Sequence, residues 1–202
     1  MIAAEAGRLV YECLLQMGEA GSNPVLEVIP ADSSVVEQTH YPDPWLGFNG
    51  GPLRAYYHCH PQPSRIAGEH GHFHLFVCTA PEQWTHLAAL SMDPQGQPRA
   101  LFSPNRWVTD ESWRDAGILG NMPLPELEWP DLVMVERWLY AMMHLFHDEL
   151  IELWRKRDRR LTEIIASHPQ EDMLENREYY VLSQISIDLL SKLESILSVD
   201  AG

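Results

Sequence analysis

Basic residues are scarce in this chain: 14 lysines and arginines stand against 29 aspartates and glutamates, a formal net charge of −15. Duplex DNA and RNA are therefore not expected as partners, because their binding rests on neutralised phosphates. An anionic membrane surface is excluded on the same ground. Cysteine is scarce as well. Cys13, Cys59 and Cys78 are an odd number without zinc-ribbon spacing, which predicts reduced thiols in a cytoplasmic protein. No apolar run approaches the roughly 20 residues that span a bilayer. The opening stretch, "MIAAEAGRLVYECLLQ", carries Glu5 and Glu12 where a secretory leader would carry positive charge and a long apolar core. Internal repeats and low-complexity tracts are also absent.

What the chain has is apolar material and histidine. Hydrophobic residues make up 45% of the 202, enough for one domain over residues 1–202 with a substantial core. Among the 10 histidines, five fall within residues 54–78, "RAYYHCHPQPSRIAGEHGHFHLFVC": His58, His60, His70, His72 and His74. In a strand, alternate side chains share a face. His58 and His60 then point one way, as do His70, His72 and His74, while Tyr57, Cys59, Phe73, Leu75 and Val77 point the other. A helix would scatter the same residues around its surface. Pro61, Pro63 and Gly68 mark a turn between the two runs.

This spacing predicts an antiparallel hairpin with His58 opposite His72 and His60 opposite His70. Opposed Cβ atoms would lie about 5 Å apart, so that ring nitrogens can share one ion at roughly 2.0–2.1 Å. The expected cofactor is one divalent metal, iron or zinc, with the five histidines as its ligand pool. Three would bind and leave a position for water, dioxygen or a substrate oxygen. The reading is a small metalloenzyme acting on a small molecule. Its alternatives are structural packing, which leaves each buried imidazole nitrogen in need of a partner, and a non-catalytic metal carrier or accessory protein.

Further candidates surround the cluster. Glu69 has the opposite parity to the histidines, but a bulge at the strand start would bring it round as a ligand or general base. A carboxylate beside two histidines suits non-haem iron. Arg106, in "NRWV", is either a clamp for an anionic substrate, through its planar fork, or a surface residue between aromatics. Cys78 shares the parity of the histidine face. His144, His147 and Asp148 are neighbours on a helix surface, although they fall short of the H-E-x-x-H pattern of helical zinc sites.

Along the chain, residues 1–20 read as an amphipathic helix with Ile2, Ala6, Leu9, Val10, Cys13, Leu14 and Met17 on its buried stripe. Residues 23–109 form the β-rich core. Residues 23–30 would be a strand or extended segment. Residues 39–52 would be a loop at the mouth of the site, bearing His40, Tyr41, Trp45 and Phe48. A second hairpin follows, with His86 early in its first strand. Residues 109–117 read as a short helix and 120–131 as a proline-rich connector. Residues 131–198 read as a helical pair: one long helix to about Ala166, and a last one striped by Leu174, Val181, Leu182, Ile185, Leu189, Leu193 and Ile196. The expected fold class is α+β, an antiparallel sheet of two or more hairpins, open or barrel-like, packed against the N-terminal helix and the C-terminal helical pair. Those C-terminal helices also offer a surface for a protein partner or a homodimer.

At "HYPDP", "YYHCH", "GEHGHFHLF", "THLAALSMDPQGQP", "LFSPNRWVTDESW" and the helical tail, the chain resembles a bacterial domain-of-unknown-function (DUF) family. The resemblance implies a bacterial single-domain protein and no particular activity. "HGHFHLF" is also similar to the histidine-triad signature of nucleotide hydrolases and transferases. That likeness implies His72 as a nucleophile on phosphorus with His70 and His74 as supports, although Gly71 takes an apolar position of the pattern. The H-x-H with further ligands resembles the cupins, which implies a small β-barrel; their usual glutamate spacing is not present.

Overall fold

A computed structural model describes residues 1–30, 34–61 and 67–199, with side chains to residue 196. Six strands make one antiparallel sheet in sequence order: β1 (Tyr41–Leu46), β2 (Leu53–His58), β3 (Gly71–Ala80), β4 (Gln83–Met92), β5 (Pro98–Pro104) and β6 (Val181–Ser186). The sheet is open, with β1 and β6 as its edges. Among the described residues, six α-helices accompany it: α1 (Ala3–Glu19), α2 (Arg106–Thr109), α3 (Ala116–Asn121), α4 (Met134–Leu145), α5 (His147–Ser167) and α6 (Leu189–Val199).

Alternation along the strands divides the sheet into two chemically different faces. Tyr57, Phe73, Leu75, Leu90 and Leu101 join one large core with Leu9, Val10 and Met17 of α1 and Trp138, Leu139 and Met142 of α4. Of the stripe read from residues 1–20, Ala6, Leu9, Val10, Cys13 and Met17 are the buried face of α1; Leu14 is half-buried, and Ile2 precedes the helix and is exposed. Two directed bonds tie α5 to the sheet: the Trp154 indole N–H donates to the Leu87 carbonyl (2.7 Å), and the Ser183 hydroxyl to the Leu153 carbonyl (2.9 Å). The other face carries the histidines.

Gly71 opens β3 beside the end of β2, where there is no room for a side chain. A Cβ there would stand 2.5 Å from the His58 carbonyl oxygen and 2.5 Å from the Tyr57 hydroxyl. No larger residue fits without moving one strand off the other.

Several local expectations differ from the structure. Residues 41–46 form strand β1 where the prolines suggested loop; an edge strand tolerates proline because its outward N–H has no ladder partner to lose. Residues 23–30 run as turns, not a strand. The expected 109–117 helix is replaced by α2 and α3. Between them, left-handed Asp110 (φ 49°) ends the first and Asp115 caps the second by accepting from the Ile118 N–H. The long helix breaks at Phe146 (φ −106°, ψ 27°), which is buried, so α4 and α5 are separate elements. The last helix is half strand: Val181–Ser186 pairs with β5, and only Leu189–Val199 is helical. Pairing there satisfies the β5 backbone, which an unpartnered edge would leave bare. Among the described residues, no helix is long and apolar enough to cross a membrane.

Candidate metal centre

The β2–β3 register sets His58 directly opposite His72 and Tyr56 opposite His74. His58 thus sits across from one histidine and diagonal to the other, within reach of both. The three Nε2 atoms form a triangle: 2.8 Å from His58 to His72, 3.1 Å from His58 to His74 and 3.1 Å from His72 to His74. The rings meet edge-on, at interplanar angles of 85°, 64° and 78°. All three are buried, and His58, at 7% exposure, is the most open. Among the described residues, these three form the group whose geometry can hold a metal ion.

Two of the three rings, His72 and His74, have a partner behind them. Glu69 Oε1 lies 2.9 Å from His72 Nδ1, and both side chains are buried. Burial pulls the Glu69 carboxyl up, but the hydrogen bond and charge of His72 outweigh it and hold the group below the ordinary carboxylate value. An ionised carboxylate only accepts, so His72 Nδ1 carries a hydrogen and donates it to Glu69. Behind His74, Nδ1 meets His86 Nε2 at 2.9 Å. Burial first, and neighbouring imidazoles second, push the His58 pKa down to about 2; His74 falls well below its usual value for the same reasons. Burial, then the Arg157 guanidinium, lowers His86 to about 3. These three rings are neutral at pH 7.

The hydrogen count then matters. Three Nε2 contacts need three hydrogens to be hydrogen bonds. Each Nε2 carries either one hydrogen or one lone pair, so at least one of the three contacts joins two donors or two acceptors. Hydrogen bonding within the triangle therefore cannot satisfy it.

The model of one family, described as a domain of unknown function (DUF6969), matches residues 4–187. The chain belongs to that family. No curated protein and no solved structure matches it. The DUF6969 span runs from α1 through β6 and includes Glu69, the clustered histidines and His86, while α6 lies beyond it.

The other residues singled out in the sequence lie elsewhere. His60 is past the end of β2; its Nε2 bonds the Tyr180 hydroxyl at 3.0 Å, and its ring packs against His58 and His72 at 4.6 and 5.3 Å without entering the triangle. His70 precedes β3, where alternation does not apply. Its Nδ1 bonds the hydroxyl of Tyr57, a residue of the opposite face, at 2.6 Å. The pairing of His60 with His70 is not part of the β2–β3 ladder. Glu69 stands behind His72 and not in the triangle. Arg106 opens α2 and ion-pairs with Glu175 at 2.6 Å. The Cys78 thiol bonds the Ala80 carbonyl. His144 closes α4 while His147 and Asp148 open α5, so the helix break divides that trio.

Two residues near the triangle carried no sequence signal for it. His86 reaches it through a shift of register in β4, and Tyr180 through the segment before β6. His40 and Trp45 do lie over the site: His40 stacks on Tyr56 at 3.9 Å and meets His58 edge-on at 5.4 Å, and Trp45 lies 4.3 Å from Tyr56.

Proposed function

We propose that the protein is a metalloenzyme in which His58, His72 and His74 hold one divalent ion through Nε2. The observation that carries this reading is the triangle of buried imidazole nitrogens, too close together to be satisfied by their own hydrogens. At a metal–nitrogen distance of roughly 2.0–2.1 Å, three ligands on one octahedral face lie about 2.9 Å apart, and three tetrahedral ones about 3.3 Å. Separations of 2.8–3.1 Å are of the size that three imidazoles on one divalent ion require, and imidazole suits both iron and zinc. Three protein ligands leave positions for water or dioxygen and an oxygen of the substrate.

Glu69 takes the part of a positioning residue. It holds the His72 ring in the binding tautomer and makes it a stronger donor. A small substrate would approach on the His58 side, between His40 with Trp45 and the His60–Tyr180 pair. The three free cysteines fit a reducing, cytoplasmic setting. The nucleotide-transfer reading is not favoured: both ring nitrogens of His72 are engaged and the ring is 1% exposed.

Element analysis of freshly purified protein tests this. About one iron or zinc per chain is expected, and almost none in His72→Ala. Substoichiometric metal in both, with no uptake of added iron(II), zinc or cobalt(II), overturns the reading. Glu69→Ala is expected to weaken cobalt(II) binding about 10–100-fold, as loss of an outer partner does, with Glu69→Gln in between; a titration followed by visible absorption measures it. Enhanced water-proton relaxation in the metal-loaded protein separates an enzyme with an open position from a saturated carrier.

A further inference from the structure

We propose that His86 fixes His74 as a ligand, its Nε2 lone pair accepting the His74 Nδ1–H so that the bare Nε2 of His74 faces the ion. The inference rests on the metal reading above and adds a positioning residue to it.

The first support is how His86 comes to be there. Leu75 pairs with Ala88, and a regular antiparallel ladder would next set Phe76 opposite Leu87. The register shifts at that point, and Phe76 pairs with His86. The extra residue in β4 turns His86 onto the face that carries His72 and His74; without it the ring would point into the apolar core. Bulges that re-aim one side chain recur beside active sites.

The second support is isolation. His74 and His86 are fully buried, so no water competes for the 2.9 Å contact between them. A Glu111 carboxyl oxygen, Oε2, accepts the His86 backbone N–H at 2.6 Å and holds the β4 residue in place. In the tautomer that accepts from His74, the His86 hydrogen sits on Nδ1, which has no hydrogen-bond partner among the described residues, a cost that ligation through His74 must offset.

The third is chemical. Only two arrangements make the contact a hydrogen bond. If His86 donates, His74 Nδ1 is the acceptor, its hydrogen sits on Nε2, and the residue cannot ligate. If His74 donates, its Nε2 is free to bind. His72 is held in the same way by Glu69, but through an anion. The two ligands therefore differ: a carboxylate stands behind one and a neutral imidazole behind the other. His74 is the weaker donor of the two.

The test combines nitrogen NMR of 15N-histidine-labelled, metal-free protein with cobalt(II) titration. In the wild type, His74 is expected to show a protonated Nδ1 and an unprotonated Nε2. His86→Phe keeps a ring but removes the acceptor, and should bind cobalt(II) about 10–100-fold more weakly with a changed visible spectrum. His86→Gln, whose side-chain oxygen can accept, should recover most of that loss; a merely space-filling role would rank the two variants the other way. A wild type that binds no cobalt(II) overturns the metal reading and this inference together. Wild-type binding with unchanged affinity in His86→Phe, or with His74 protonated at Nε2, overturns this inference alone. Should His86→Phe fail to fold, the wild-type nitrogen shifts decide.

Discussion

Metal-free protein is expected to lose about 5 kcal/mol of stability between pH 6.5 and pH 4.5. The cause is the buried imidazoles. In the folded state burial lowers His58 to about 2 and His86 to about 3, and lowers His74 well below its usual value. In the unfolded chain all three return to about 6.5. Below that pH the unfolded state binds up to three protons that the native state refuses, so their stabilisation is complete above pH 6.5 and lost as pH falls. Glu111 acts in the opposite sense. Burial raises it to about 7, so in this window the native state holds one proton that the unfolded chain lacks. The net difference approaches two protons, worth about 3 kcal/mol per pH unit once the unfolded histidines are charged. A loss of this size is comparable to the whole stability of an ordinary domain. Urea unfolding at pH 6.5, 5.5 and 4.5 measures it, and a flat profile would mean the cluster is hydrated or already charged. Bound metal should protect, since it stabilises only the folded form.

Replacing Gly71 by alanine is expected to cost about 2–3 kcal/mol, in the range of core overpacking. Two features set the size of the effect. One of the clashing atoms is the His58 backbone carbonyl oxygen, which cannot rotate away as a side-chain tip can. The other, the Tyr57 hydroxyl, is held by His70. Relief requires β2 and β3 to separate at the His58–His72 pair. Cobalt(II) affinity should therefore fall together with the urea midpoint, at least about tenfold. An unchanged midpoint would mean that the strands are less tightly apposed here than 2.5 Å implies.

The core of the site was legible in the sequence because alternation is a strand's strongest constraint. His58, His72 and His74 lie within the β2–β3 ladder, and His58 faces His72 as the spacing requires. His60 and His70 fall one or two positions outside the strands, where parity stops predicting direction. Glu69 is also outside β3, and its turn toward His72 is set by the loop and not by the pleat. His86 needed a bulge that no glycine or proline marks. Larger errors had the same origin. Val181, Leu182 and Ile185 followed by Leu189 and Leu193 satisfy a helical stripe, yet the first three lie in β6, because short strand and helix patterns overlap. Nothing in "HLFHDEL" announces the break at Phe146; tertiary packing makes it, with α4 against α1 and α5 against β5 and β6. The N-terminal helix, the sheet and the α+β class were plain because each rests on a long periodic run.

The three nitrogens of the triangle belong to a single hairpin, and the short chain between His58 and His74 makes their meeting a local event. During synthesis this hairpin leaves the ribosome well before Tyr180, whose hydroxyl bonds His60 at the rim. On the proposed metal reading, an ion can therefore meet the triangle in a nascent chain that does not yet have the His60–Tyr180 bond. That bond narrows the approach on the His58 side, so exchange in the mature protein is expected to be slower than first loading.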